Sequence, residues 1–165
     1  MIKFRPHVRK DIPYRIKRLN NSKVNKFIWD IPGKKTTIKE QTQRFENYQK
    51  SKNKKFFIIC DEQKPIWLVG ISNISKNNKN ADLFIMIGED EYRGKGIGKI
   101  AMKRIIDYGF KTLKLHKLNL WVIEKNIPAV NLYQSLGFIT EGKMRDEIFF
   151  EWKFHDFLSM AIFNK

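Results

Sequence analysis

The residues best suited to chemistry lie in Tyr92-Arg93-Gly94-Lys95-Gly96-Ile97-Gly98. Glycines without Cβ let a turn aim several backbone N–H groups at one point, and a helix starting there adds the positive end of its dipole. An apolar run, Ala81–Gly88, precedes this turn, and helical spacing of Ile100, Ala101, Ile105, Ile106 and Phe110 follows it. A strand, a glycine turn and a helix in that order suit a pyrophosphate. The turn lacks the Gly-Lys-Ser/Thr ending of a nucleotide-triphosphate loop, and its G-x-G-x-G differs from the dinucleotide G-x-G-x-x-G. Taken alone, a purely structural glycine turn is the competing reading.

A second segment, Asn126-Ile-Pro-Ala-Val-Asn-Leu-Tyr133-Gln-Ser-Leu-Gly-Phe138, reads as a helix ended by Gly137. Spacing places Ala129, Leu132 and Leu136 on its core stripe and leaves Asn131 and Tyr133 off it. Asp82 and Glu124 are strand-borne acids that could serve as a general base; solvated strand-end carboxylates are the alternative.

Arg93-Gly-Lys-Gly-Ile-Gly98 resembles the Q/R-x-x-G-x-G/A motif of the GCN5-related N-acetyltransferases (GNAT), and Asn126–Phe138 is similar to that family's N-x-x-A-x-x-L-Y-x-x-x-G-F element. The resemblance is strongest from Ala81 to Phe163 and weak before Lys55. It implies a mixed, three-layer α/β/α fold whose mostly antiparallel sheet is splayed at an acetyl-CoA site. It further implies that backbone amides from Arg93 through Gly94, Lys95, Gly96, Ile97, Gly98 and Lys99 bind the pyrophosphate, helped by the charges of Arg93 and Lys95. Backbone groups of Met86, Ile87 and Gly88 would pair with the pantetheine, and Asn126 and Asn131 would join the cofactor site.

The resemblance also places the Tyr133 hydroxyl near the CoA sulfur, as the general acid for a departing thiolate; a buried tyrosine bonded to backbone is the competing reading. The segments Gly137–Glu147 and Trp152–Asp156 look like the branch holding ribosomal-protein alanine acetyltransferases and spermidine acetyltransferases. The implied acceptor is a small amine, an amino sugar or a protein N-terminal amine. A polycation fits poorly, since the loop Trp29–Thr37, a candidate lid, offers Asp30 but adds Lys34 and Lys35.

The elements that must position these groups can be read in order. Lys3–Arg5 is a short strand, and Asp11 caps a helix with Pro13 near its start that runs to Leu19. Ser22–Ile28 reads as a helical turn. Thr37 and Glu40 form a capping box for a helix over Ile38–Gln49. Lys55–Cys60, Ile66–Ile74 and Ala81–Gly88 form an antiparallel meander, followed by a helix from Gly98 to about Leu113. Leu118–Ile123, Phe138–Glu141, Glu147–Trp152 and Phe157–Phe163 are further strands around the helix Pro128–Leu136.

The 165 residues, 42% hydrophobic and 30% charged, suit one domain, residues 1–165, and no repeat or linker divides them. Cys60, the sole cysteine, lies in an apolar run and reads as core. His7, His116 and His155 are isolated, so no metal site is expected. No stretch is long and apolar enough for a leader or a membrane span, which points to a cytoplasmic protein without membrane partners.

Lys and Arg outnumber Asp and Glu 33 to 17, giving a formal +16 spread along the whole chain, a pattern that biased codon usage alone can produce. The rival function is a non-enzymatic basic protein that binds RNA or the ribosome through the same fold, but no aromatic-basic RNA motif accompanies the charge, so nucleic acid is expected at most indirectly, through the ribosome. The apolar C-terminal strands offer an edge for a homodimer, and core packing explains their composition equally well.

Overall fold

The computed structural model describes residues 2–21, 35–87, 92 and 94–165. The expected turn Ser22–Ile28, most of the candidate lid Trp29–Thr37 with Asp30 and Lys34, and the site candidates Gly88 and Arg93 lie outside them. The strands are β1 (Ile2–Pro6), β2 (Lys55–Asp61), β3 (Lys64–Ser75), β4 (Asn80–Ile87), β5 (Lys117–Ile123), β6 (Ile139–Phe150) and β7 (Lys153–Phe163). The helices are α1 (Ile12–Leu19), α2 (Ile38–Lys50), α3 (Ile97–Asp107) and α4 (Ile127–Ser135).

The described strands form one seven-stranded sheet in the order β1-β2-β3-β4-β5-β7-β6. Only β4 and β5 run parallel, because α3 carries the chain back across one face between them. Period-two alternation sorts β4: Ala81 and Leu83 are buried in the large cluster with Ala101, Met102 and Ile105 of α3 and Val130 and Tyr133 of α4. Phe84 and Met86 face the other way, toward Ile58, Cys60 and Leu68. That second face is covered by α1 and α2; Tyr48 of α2 stacks on Phe56 with ring centroids 4.4 Å apart. The arrangement is the expected three-layer α/β/α. Among the described residues no helix is long and apolar enough to cross a membrane, and no group of three His, Cys, Asp or Glu side chains could hold a metal ion.

Several local expectations need correction. Asp11 precedes α1 but does not cap it: its carboxylate turns back to accept two hydrogen bonds from Arg5, at 2.8 and 2.5 Å, and one from the Val8 amide at 2.9 Å. The helix read as Gly98–Leu113 is α-helical only to Asp107 and widens into a π turn over Tyr108–Thr112. Gly109 in that turn sits so close to β5 that a Cβ would lie 2.9 Å from a Leu118 methyl. The two strands Phe138–Glu141 and Glu147–Trp152 are one bulged strand, β6, that ends at Phe150. Glu151 and Trp152 form the hairpin turn instead, at φ 49° and 60°, and Trp152 is 94% exposed. Neither residue carries the Gly or Asn signal of such a turn, which is why sequence pattern extended the strand through it. The capping box is present as read, with Thr37 accepting from the Glu40 amide and Glu40 from the Thr37 amide.

His7 is buried where α2 meets β1 and β2, with its ring edge-on to Phe45 at 5.0 Å, and among the described residues neither ring nitrogen has a hydrogen-bond partner. Burial, reinforced by the nearby Arg15 charge, pushes its pKa down from 6.5 to about 4. The unfolded chain therefore takes up a proton that the folded chain refuses. The stability is complete above pH 6.5 and is lost as pH falls toward 4, by about 2–3 kcal/mol in all. Urea midpoints at about pH 7 and about pH 4.5 should show this loss in the native chain and a smaller one in His7→Phe. Equal losses in both proteins would show that His7 is not its source.

Candidate active site

The parallel strands β4 and β5 pair through only Asn80–Asp82 and Lys117–Asn119. Beyond those residues they diverge, so Leu83–Ile87 and Leu120–Ile123 turn unpaired backbone groups toward each other while their outer edges pair with β3 and β7. A V opens toward the C-terminal ends of the two strands. From Asp82 to Ile87, five steps at about 3.3 Å give roughly 17 Å, the order of an extended pantetheine arm.

The glycine turn stands at the open end. Gly94 and Gly96 adopt φ 71° and 74°, left-handed values that glycine reaches without strain, and an added Cβ at either would meet nothing within 4 Å among the described residues. Their absence of side chain therefore serves the backbone course and the open space in front of it, not packing inside the protein. Gly96 is the residue from which α3 starts; Ile97 and Gly98 are buried and lock the first turn of the helix onto the sheet. The first amide groups of a helix have no partner within it and face outward. Lys95 and Lys99 are exposed around the turn, and the Lys95 and Lys64 ammonium groups lie 5.8 and 5.4 Å from the Tyr92 ring centroid. Two strained-if-substituted glycines, a free helix N-terminus, flanking cations and a splayed strand pair form a cradle that fits a pyrophosphate with an extended arm.

The second helix of the site, α4, also starts at the open end. The Asn126 carbonyl accepts from the Ala129 and Val130 amides at 3.0 Å each, while its side chain caps nothing. Asn131 is exposed and Ala129, Leu132 and Leu136 pack against the core, as spacing predicted, but Tyr133, read as off that stripe, is buried in the core as well. Val130 and Tyr133 are the buried residues, and Ala129, Leu132 and Leu136 are half-buried, because α4 is rotated to seat Tyr133 against Phe138 at 5.8 Å. Tyr133 thus belongs to the main core. Its hydroxyl makes no hydrogen bond among the described residues, and burial pushes its pKa up to about 12. The backbone-bonded alternative for this tyrosine finds no such bond.

The two candidate acids lie at opposite ends of the V. Glu124 follows the last residue of β5 and binds Lys143 at 2.7 Å, and Lys143 also reaches Asp156 at 2.8 Å. The hydrogen bonds that the Lys143 ammonium donates to Asp156 and Glu124 hold it above its usual pKa. Asp82 sits at the vertex, where Asn73 and Asn119 donate to its two oxygens. Neither asparagine was singled out from sequence; their occurrence in strands, from which Asn is depleted, is the available signal. Met86, half-buried, points to the opposite face from α3, into a slot beneath α1 lined also by Tyr14, Arg15, Arg18, Ile58 and Leu68.

The comparison with known proteins agrees with this geometry. The profile of the acetyltransferase (GNAT) domain matches residues 2–139. The chain belongs to the GNAT acetyltransferase family. It is 31% identical over 164 residues to the spermidine N(1)-acetyltransferase of Escherichia coli K12, covering 99% of this chain and 86% of that protein. A putative ribosomal N-acetyltransferase of Bacillus subtilis is 26% identical over 98 residues, 59% of this chain and 53% of that protein. The structure of the Vibrio cholerae spermidine N-acetyltransferase in complex with CoA and spermine superposes with a TM-score of 0.90 at 28% identity, covering 98% of this chain and 95% of that one. The GNAT chain described here is accordingly an N-acetyltransferase, with acetyl-CoA as its co-substrate.

Proposed function

We propose that this enzyme acetylates a small-molecule primary amine by direct attack on the thioester, with Tyr133 as general acid and Asp82 as general base. The observation that carries the reading is the splay of β4 from β5, with the two-glycine turn at one end and a carboxylate at the other. Backbone amides of Gly94 to Lys99 hold the pyrophosphate, and unpaired groups of Met86 and Ile87 hold the pantetheine amides. Bound acetyl-CoA supplies an electrophilic carbonyl carbon and a thiolate leaving group.

Asp82 takes the proton from the acceptor ammonium, which frees the nitrogen lone pair to attack. Tyr133 keeps its proton at neutral pH and offers it to the departing sulfur, whose own basicity rises in the same buried setting. Direct attack, without an acyl-enzyme, suits a chain whose sole cysteine is 3% exposed within the cluster on the α1 side. Glu124, tied into the Lys143 and Asp156 pairs, is the weaker candidate base.

Among amines, polyamines come first, against the expectation drawn from Lys34 and Lys35, because the spermidine acetyltransferase match spans 99% of the chain and the ribosomal match 59%. A dodecameric structure of the Vibrio cholerae spermidine enzyme has a TM-score of 0.84 to this chain, and self-assembly here is part of the proposal. Exposed Phe149, Trp152 and Phe154 at the β6–β7 tip are surfaces such an assembly could use. The test is CoA thiol release with spermidine, spermine, an amino sugar and an alanine-starting peptide. Fastest turnover with spermidine or spermine is expected. Turnover with the peptide alone would overturn the small-amine assignment, and no turnover with any of the four would overturn the acceptor class.

A further inference from the structure

Asp82 is the last residue through which β4 pairs with β5, opposite Asn119, and it also stands opposite Ser72 of β3. The next pair along is Ser75 with Asn80, so Asn73 and Ile74 together face Ala81: β3 carries one extra residue at the vertex of the V. Asn73 takes φ 51° in this bulge, a left-handed value that asparagine tolerates better than most residues but still at a cost. The bulge aims its side chain across the strands, and Asn73 Nδ2 donates to Asp82 Oδ2 at 2.7 Å. From the other side Asn119 Nδ2 donates to Asp82 Oδ1 at 3.4 Å and to the Ala81 carbonyl at 3.5 Å. Each carboxylate oxygen thus has an amide donor, and the donors come from different strands.

We propose that Asn73 and Asn119 are positioning residues that clamp the Asp82 carboxylate at the vertex. An ionised carboxylate has about four acceptor sites, so two amide donors fix its plane and leave the others for the acceptor ammonium. The clamp joins β3, β4 and β5 at the one place where the sheet comes apart, so that opening of the V does not swing the carboxylate. This inference rests on the reading of Asp82 as the base.

The test compares Asn73→Gly, Asn119→Ala, Asp82→Asn and the double variants, using the amine that turns over fastest in the screen. Asp82→Asn is expected to lower kcat about 100-fold. Asn73→Gly and Asn119→Ala should each lower it about 10-fold with the KM for acetyl-CoA unchanged. Glycine adopts the positive φ freely, so the thermal midpoint of Asn73→Gly should stay level or rise, whereas a merely structural asparagine would lose stability. In the Asp82→Asn background neither asparagine substitution should slow the enzyme further. A slow Asp82→Asn beside a fast Asn73→Gly, or fully multiplicative losses in the doubles, overturns the clamp alone; full activity in Asp82→Asn overturns the base assignment and the clamp together.

Discussion

Acetyl-CoA binding to the Gly96→Glu variant, followed by calorimetry, is expected to weaken by at least about 100-fold, or about 2.7 kcal/mol. Two effects combine. Gly96 holds φ 74°, where any residue with a Cβ is strained by about 1–2 kcal/mol, and it stands where α3 begins. The larger effect is the carboxylate, which projects into the open space before the turn and places a negative charge at the helix N-terminus, where the pyrophosphate belongs. Gly96→Ala separates the two, because its methyl would meet nothing within 4 Å among the described residues and adds no charge. The alanine variant should lose about 10-fold in affinity and a few degrees of thermal midpoint, while the glutamate variant loses binding as well. Unchanged affinity in Gly96→Glu would remove the turn from the cofactor site.

Tyr133→Phe should lower kcat by about 100-fold or more while leaving stability intact. The reason lies in the unusual setting of the hydroxyl: it is carried by a side chain only 8% exposed, packed with Phe138 in the main core, yet it makes no hydrogen bond among the described residues. A structural tyrosine would lose a bond on truncation and destabilise the fold by about 1 kcal/mol. Here the phenylalanine ring fills the same space and no bond is lost, so the thermal midpoint should stay level or rise. Burial pushes the phenol up to about 12, so it remains protonated across the working range and contributes no alkaline limb between about pH 7 and about pH 9. The pH profile of kcat/KM measures this directly. A fall in kcat/KM across that interval that disappears in Tyr133→Phe would contradict the high pKa, and an unaltered kcat in the variant would end its role as the acid.

Much of this arrangement is legible in local sequence because the physical causes are local. Positive φ at Gly94 and Gly96 follows from a glycine-rich turn between a strand and a helix, and the capping box at Thr37 and Glu40 needs only residues three apart. The three-stranded meander is written in apolar runs separated by polar turns, and Gly137 ends α4 at φ 94° as its position suggests. Other features depend on partners far along the chain. The hairpin turn at Glu151–Trp152 is set by the pairing of Phe150 with Lys153, not by its own residue types. The core stripe of α4 runs through Val130 and Tyr133 because the helix packs beside Phe138, and helical periodicity in a nearly all-apolar segment could not choose that rotation.

The candidate acids show the same division. Sequence nominated Asp82 and Glu124 on equal terms, as carboxylates at or near strands. The tertiary structure separated them, giving Asp82 to the vertex of the V beside two asparagines and Glu124 to an ion pair with Lys143 at the open end. What the sequence determined by itself was the two-glycine turn between β4 and α3 and most of the order of strands and helices, since backbone conformation and periodicity are short-range properties. The side of α4 that carries Tyr133, the place where β4 leaves β5, and the amides that converge on one carboxylate were decided only by tertiary structure, because each depends on strand register between residues distant in the chain.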